Sequence, residues 1–360
     1  MQSTAVSFDG ASLSLSLITE KVDVPPVGGL IARVTMAGIC GTDAHRLVGD
    51  VPKEDAPISF GHEAVGVVAE LGVGRVTDWH GQNLAVGDRI TWFPPAAGCG
   101  HCQNCLDDFF LLCEEETWPY PSSRPNPAGF QQYATLSARV PVYKVPNDIP
   151  DEAYVAFGCA LPTAVNGMDV LGQILPAQTV LVQGCGPVGL ASIALATLAS
   201  PAQLIVIGAP AKRLEWATRL GATTALDITT TTQAERAERV RELTDGRGAD
   251  VVIEAAGQPA AFTEGIELLA RRGRYLISGL FSGSRTVEVN PVLINNRSLH
   301  IMGNLGGKRG NLGNAVALAS RLQRRFAIAD LVTDRFELAE IATAIRSSGI
   351  GLSTKTVVVP

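Results

Sequence analysis

Thr179-Val-Leu-Val-Gln-Gly-Cys-Gly-Pro-Val-Gly-Leu190 decides the fold. A short apolar run leads into G-x-G-x-x-G and then into helix-type sequence from Val188 to Leu198. A lone G-x-G-x-x-G is weak, but between a strand and a helix it carries a mechanism. The glycines let the backbone approach a pyrophosphate, and the helix start offers free N–H groups and a positive dipole end. Gly184, Gly186, Pro187, Val188 and Gly189 are therefore the candidate phosphate cradle.

Outward from this loop the pattern repeats. Leu204 to Ile207 reads as the next strand and Arg213 to Leu220 as a helix. Further strands are expected near Asp250 to Ile253 and Arg274 to Ile277, with a helical segment from Ala260 to Leu269 between them. Strands alternating with helices imply parallel βαβ units, an α/β arrangement. One expected part is missing. Gly208 stands where an NAD site usually carries an acid on the ribose diol. Without that acid a 2′-phosphate is not repelled, and Lys212 or Arg213 could pair with it. The competing reading makes both basic residues a solvated helix start. NAD and NADP both stand as the cofactor at this level.

Before residue 155 the texture differs. Short β-type runs such as Leu30 to Met36, Ala64 to Ala69 and Arg89 to Phe93 sit between glycines and prolines, which suggests a barrel-like β domain. Within it, Cys99, Cys102, Cys105 and Cys113 follow C-x2-C-x2-C-x7-C. Four thiolates satisfy tetrahedral zinc with no open position, so the expected ion is structural. A disulfide cluster would need an oxidising compartment, and iron–sulfur proteins use other spacings.

Three more stretches form a second constellation. Cys40 lies in a glycine-flanked turn, His62 and Glu63 precede a strand, and Cys159 approaches the βαβ region. Each alone reads as ordinary structure: a lone cysteine is usually a small filler. Together they offer two thiolates and an imidazole, the catalytic zinc pattern with one exchangeable position. Such zinc polarises a bound oxygen. Thr42 and His45 would then form a proton path; the bland reading leaves Thr42 in its turn and His45 on the surface. Trp92, Phe93 and Trp118 could wall a substrate pocket or simply pack the β domain.

Composition narrows the class. The 360 residues are 46% apolar and 18% charged, enough for two packed domains. The net charge of −6 without a basic block argues against nucleic acid. The first residues have neither a basic n-region nor an apolar h-region, and the apolar tract Val180 to Gly208 is broken by glycine and proline. No signal peptide and no membrane span are expected, and the expected location is the cytoplasm.

These residues match a family. Through Gly38 to Asp43, Gly61-His-Glu63, Val86 to Arg89, the four-cysteine lobe, Gly184 to Gly189 and Ser353 to Thr356, the chain resembles the zinc-dependent alcohol dehydrogenases of the medium-chain dehydrogenase/reductase superfamily. The resemblance covers essentially the whole length. It implies a GroES-like catalytic domain over residues 1–159 with a structural-zinc lobe near 95–115. A Rossmann domain over 160–303 would follow, with residues 304–360 returning to the catalytic domain. It implies two zinc ions per chain: a catalytic one on Cys40, His62 and Cys159, with Glu63 beside it, and a structural one on the lobe. Thr42 and His45 match the family's proton relay, Thr163 its nicotinamide side, and Lys355 a basic residue at the pyrophosphate. Gly41 departs from members that carry arginine there. The implied activity is interconversion of a small-molecule alcohol and its ketone or aldehyde, in a homodimer or homotetramer. The rivals are a zinc-independent enone or quinone reductase of the same superfamily, and a zinc-held nucleotide-binding or regulatory protein without catalysis.

Overall fold

The computed structural model describes residues 1–51, 57–93, 98–115, 126–279, 282–349 and 353–360. The chain divides into two compact units: Met1–Cys159 with Gly307–Pro360, and Ala160–Gly306.

The first unit is built on antiparallel strands. Its main sheet has the order Val332–Glu337, Lys355–Val359, Leu30–Gly38, Ala64–Leu71, Arg89–Trp92 and Val142–Lys144, with Tyr133–Leu136 also pairing Leu30–Gly38. A smaller sheet joins Ser14–Lys21, Gln2–Asp9 and Ile58–Ser59. Leu30, Ala32, Val34, Phe60, Ile90, Phe130 and Val142 fill one core with Ile341, Ile345 and Val358 from the tail. That shared core is why the tail belongs here: its apolar side chains have their burial partners among the N-terminal strands.

The unit is braced by polar anchors. Asp151, in the first turn of the helix Asp151–Val155, accepts from Thr35 Oγ1 at 2.6 Å and from Arg89 through both Nε and Nη2. Arg89 also reaches the Pro146 carbonyl at 3.0 Å.

The second unit has six parallel strands ordered Thr224–Asp227, Gln203–Gly208, Thr179–Gln183, Ala249–Glu254, Leu269–Ile277 and His300–Gly303. In the unit's own chain order this is 3-2-1-4-5-6, the doubly wound dinucleotide-binding topology. Its central strands are apolar on both faces: Leu181, Ile205 and Val252 are fully enclosed, as a sheet covered by helices on both sides requires. Several elements were not anticipated. They include the strands Thr224–Asp227 and His300–Gly303 and the helices Gly41–Leu47, Ala160–Leu171 and Gln233–Leu243. The last of these begins at the threonine run. Thr232 caps it, accepting from the Glu235 amide while Glu235 accepts from the Thr232 amide at 2.7 Å. No described helix is long and apolar enough to cross a membrane.

Asp151→Ala should cost about 2 kcal/mol, because it strands a half-buried guanidinium and a hydroxyl. The expected readout is a lower denaturant midpoint with an unchanged slope; an unchanged midpoint would show that the anchor is dispensable.

Candidate metal centres and nucleotide loop

The strand Leu30–Gly38 runs into Cys40, which caps the helix Gly41–Leu47. The Cys40 amide donates to Asp43 Oδ2 at 2.9 Å. The other oxygen of Asp43 lies 3.5 Å from His62 Nδ1. One carboxylate, 1% exposed, thus fixes the turn that carries Cys40 and orients the His62 ring, leaving Nε2 for a metal. Cys159 Sγ sits 3.4 Å from Cys40 Sγ. Ligand atoms of Cys40, His62, Glu63 and Cys159 all lie within 4.8 Å of one another. Two thiolates sharing a tetrahedral zinc are separated by roughly 3.8 Å, so this donor set fits one ion.

Glu63 is in reach of that ion, but both its oxygens are engaged. Oε1 accepts from the Cys159 amide at 2.8 Å and Oε2 from Lys355 Nζ at 2.5 Å. Lys355 also donates to the Ile39 carbonyl at 3.0 Å. The family resemblance puts a basic residue at the pyrophosphate; in the structure the Lys355 ammonium is enclosed, 3% exposed, as the partner of Glu63.

The electrostatics follow from these distances. The Cys159 thiol, donating to Cys40, pushes Cys40 down to about 5 against its burial, with help from His62. The same hydrogen bond, together with burial, holds Cys159 well above the ordinary thiol range. Burial alone would lower His62, yet the Cys40 thiolate and Asp43 raise it. Burial likewise opposes ionisation of Glu63, and the Lys355 charge outweighs it. The site thus favours ionisation of Cys40 over Cys159 within a cluster of opposed charges.

Cys40 Sγ approaches Thr42 Oγ1 at 3.5 Å. His45, three residues further along the same helix, pairs through Nδ1 with Asp50 Oδ2 at 3.2 Å. Three-residue spacing puts Thr42 and His45 on neighbouring positions of one helix face. Asp43, the Glu63–Lys355 pairing and Asp50 were not read from the sequence. The signal for Asp43 was present, since Cys40-x-x-Asp43 has the spacing of a capping box.

Cys99, Cys102, Cys105 and Cys113 also converge, with every ligand atom within 4.8 Å of the others. The Cys102 amide points at Cys99 Sγ and the Cys99 amide at Cys113 Sγ, each at 3.3 Å. Burial pushes the Cys105 thiol up to about 12, so four thiolates here call for a cation. Four sulfurs leave tetrahedral zinc no open position. Cys105 and Phe110 pack with Tyr143, Trp79, Phe93, Leu312 and Val316. The lobe therefore seats the returning helix Arg309–Phe326. Trp92 is core, with its Nε1 on the Pro127 carbonyl at 2.7 Å. Phe93 stacks edge-on with Phe110, and Trp118 lies outside the described residues.

In the second unit the loop after Thr179–Gln183 has the backbone that its glycines foretell. Gly184 has φ +100°, and a Cβ there would press on the backbone of Ala255 and Ala256 at 2.7 Å. Gly186 caps the helix Pro187–Ala199. Two further anchors tie the strand ends around it. The Glu254 carboxylate accepts the amides of Ala256, Gly257 and Gly279 at 2.7–3.1 Å. Asn304 Nδ2 donates to the Thr163 carbonyl and to Ser278 Oγ, each at 3.0 Å. Gly208 ends its strand, Lys212 is exposed and Arg213 half-buried.

Cys102→Ser should open the lobe's site, reducing zinc content by one ion per chain and lowering the thermal midpoint. Full zinc content in that variant would refute a four-sulfur site. Asp43→Ala should weaken zinc retention at the Cys40 cluster by roughly 10–100-fold, measured by competition with a chelator; retention equal to the unmodified protein would remove Asp43 from the site.

Comparison with known proteins places these features. A family model described as the alcohol dehydrogenase GroES-like domain matches residues 27–147, and one described as zinc-binding dehydrogenase matches 187–321. The chain is 36% identical over 336 residues to a 5-exo-hydroxycamphor dehydrogenase of Pseudomonas putida, covering 93% of this chain and 92% of that protein. An alcohol dehydrogenase structure from Thermotoga maritima matches with a TM-score of 0.90 at 26% identity, covering all of both chains. A structure from Sinorhizobium meliloti, described as a zinc-binding dehydrogenase bound to NADP, matches with a TM-score of 0.85 at 25% identity, again over all of both chains.

Proposed function

The chain belongs to the zinc-dependent alcohol dehydrogenases of the medium-chain dehydrogenase/reductase superfamily, and from that membership we propose how its own residues divide the work. The protein is an oxidoreductase of CH–OH donors, interconverting an alcohol and its carbonyl product with zinc and a nicotinamide cofactor. In our reading two zinc ions are held per chain, one by Cys40, His62 and Cys159 and one by the four-cysteine lobe. The observation that carries the reading is the convergence of two thiols and an imidazole within 4.8 Å, backed by an oriented ring.

Zinc supplies polarisation of the substrate oxygen, and the nicotinamide accepts or returns hydride. The residues do the rest. Thr42 Oγ1 takes the proton of the substrate hydroxyl, and His45 passes it to solvent, with Asp50 holding the ring through Nδ1. Lys355 and the Cys159 amide hold Glu63 back, which would leave a metal on Cys40, His62 and Cys159 open to substrate. Gly184, Gly186, Pro187, Val188 and Gly189 cradle the pyrophosphate at the helix start, and Thr163 supports the nicotinamide side. The substrate class follows from the Pseudomonas relative, whose 5-exo-hydroxycamphor carries its hydroxyl on a secondary ring carbon. We propose a secondary alcohol and its ketone, and a homo-oligomeric assembly.

Cys40→Ser should lose one zinc per chain and abolish alcohol-dependent formation of the reduced nicotinamide, with cofactor binding largely intact. Across a panel, cyclic secondary alcohols should be turned over faster than primary ones. A Cys40→Ser protein with normal turnover would overturn the site assignment, and preference for primary alcohols would overturn the substrate class.

A further inference from the structure

Residue 208 is the last of the second strand in the 3-2-1-4-5-6 order, the position from which an acid usually holds the adenosine ribose diol. Here the space beside it is taken. A Cβ on Gly208 would lie 2.6 Å from Cys185 Sγ, 3.2 Å from the Cys185 amide nitrogen and 3.4 Å from its Cβ. Cys185 is the variable residue between the first two loop glycines. It is 2% exposed, and its thiol donates to the Ala209 carbonyl at 3.2 Å. The thiol is therefore held by a hydrogen bond, and behind it stands the loop's own backbone. The close contact is with the thiol itself, which a side chain at 208 would have to displace.

The neighbouring strand supplies no substitute acid. Asp227 is the register partner of Gly208, but its Oδ1 takes the Thr229 amide at 2.8 Å and Thr229 Oγ1 at 2.6 Å, turning it into its own loop. Arg213, in the first turn of the helix Ala211–Arg219, and Asp227 are the charged neighbours that Cys185 feels. Burial pushes the Cys185 thiol up, and the Arg213 charge opposes that shift.

We infer that Cys185 is a specificity-determining residue of the nucleotide site: its thiol fills the volume that an acid on position 208 would need, and the adenosine ribose is left to Arg213, which favours a 2′-phosphate. The inference rests on a dinucleotide binding at the Gly184 loop. Its distinguishing consequence is non-additivity, because an acid at 208 can act only once the thiol is gone. A cysteine that does not crowd position 208 would leave the effect of a substitution there unchanged.

The test is a fluorescence titration of the zinc-loaded protein with NADPH and, separately, NADH. The set comprises the unmodified chain, Arg213→Ala, Gly208→Asp, Cys185→Ala and Cys185→Ala/Gly208→Asp. The unmodified protein should bind NADPH roughly tenfold tighter or more, the scale of one charge-assisted hydrogen-bonded contact. Arg213→Ala should erase that preference by weakening NADPH alone. Cys185→Ala should keep it. Gly208→Asp should weaken both dinucleotides, and adding Cys185→Ala should restore NADH binding and reverse the ratio. A Gly208→Asp protein that does not fold gives the same support if the double variant folds and binds NADH. NADH binding by Gly208→Asp alone as tight as by the double variant would overturn the steric role. So would a double variant that recovers nothing. An NADH preference untouched by Arg213→Ala would overturn the phosphate reading. Failure of the unmodified protein to bind either dinucleotide would instead overturn the assignment of the loop itself.

Discussion

The catalytic unit depends on one enclosed ion pair. Glu63 and Lys355 have side chains 1% and 2% exposed, 2.5 Å apart, and 292 residues separate them in the chain. Glu63 also receives the Cys159 amide through its side chain and the Gly38 amide through its carbonyl, while Lys355 reaches the Ile39 carbonyl. Four segments therefore meet at two residues: the end of the first long strand, the His62 turn, the end of the first unit's N-terminal portion, and the last strand. Taking both charges out of water is costly, and a buried pair is weak evidence for stability by itself. What it secures is register. Cys40 and Cys159 come from segments far apart in sequence, and the pair spaces their sulfurs to fit one ion.

The two cysteine clusters show how the same ligand serves two ends. In the lobe all four donors are thiols; Phe110, Tyr143 and Leu312 pack on the Cys105 side, while His101 and Glu115 lie beside Cys99. A segment this short encloses little core of its own, and in the proposed reading a metal would replace core in holding it. At Cys40 the donors are mixed, and polar side chains stand behind them. Asp43 stands behind His62, and Lys355 stands behind Glu63. Four thiols leave a tetrahedral ion no open position, which suits an inert strut. A polar setting with one carboxylate held aside leaves room for an exchanging ligand.

Much of this was legible in the sequence, for local reasons. The C-x2-C steps, the G-x-G-x-x-G between strand and helix, and the alternating texture after residue 179 all depend on neighbours within about ten residues. What escaped was of two kinds. Short elements with strong caps were passed over. The helix Gly41–Leu47 was taken for a turn, and the threonine run hid a capping box at Thr232 and Glu235. Long-range pairings left no local trace. Nothing near Lys355 announces Glu63, and nothing near Gly208 announces the Cys185 thiol. The aromatic residues were open for a different reason: Trp92 and Phe93 are as apolar in a core as in a pocket, and only their packing distinguishes the two.

In the nucleotide unit, selectivity comes from absence as much as from contact. Gly184 is glycine because the backbone of Ala255 and Ala256 leaves no room for a side chain. Glu254 in turn holds that backbone in place through three amides. Gly208 is crowded in the same way, but by a side chain, Cys185. A contact with backbone is hard to evolve away, whereas a contact with one side chain can be removed by one substitution. The ribose end of the site is thus the part of this fold most open to change, while the pyrophosphate end is held by the sheet itself.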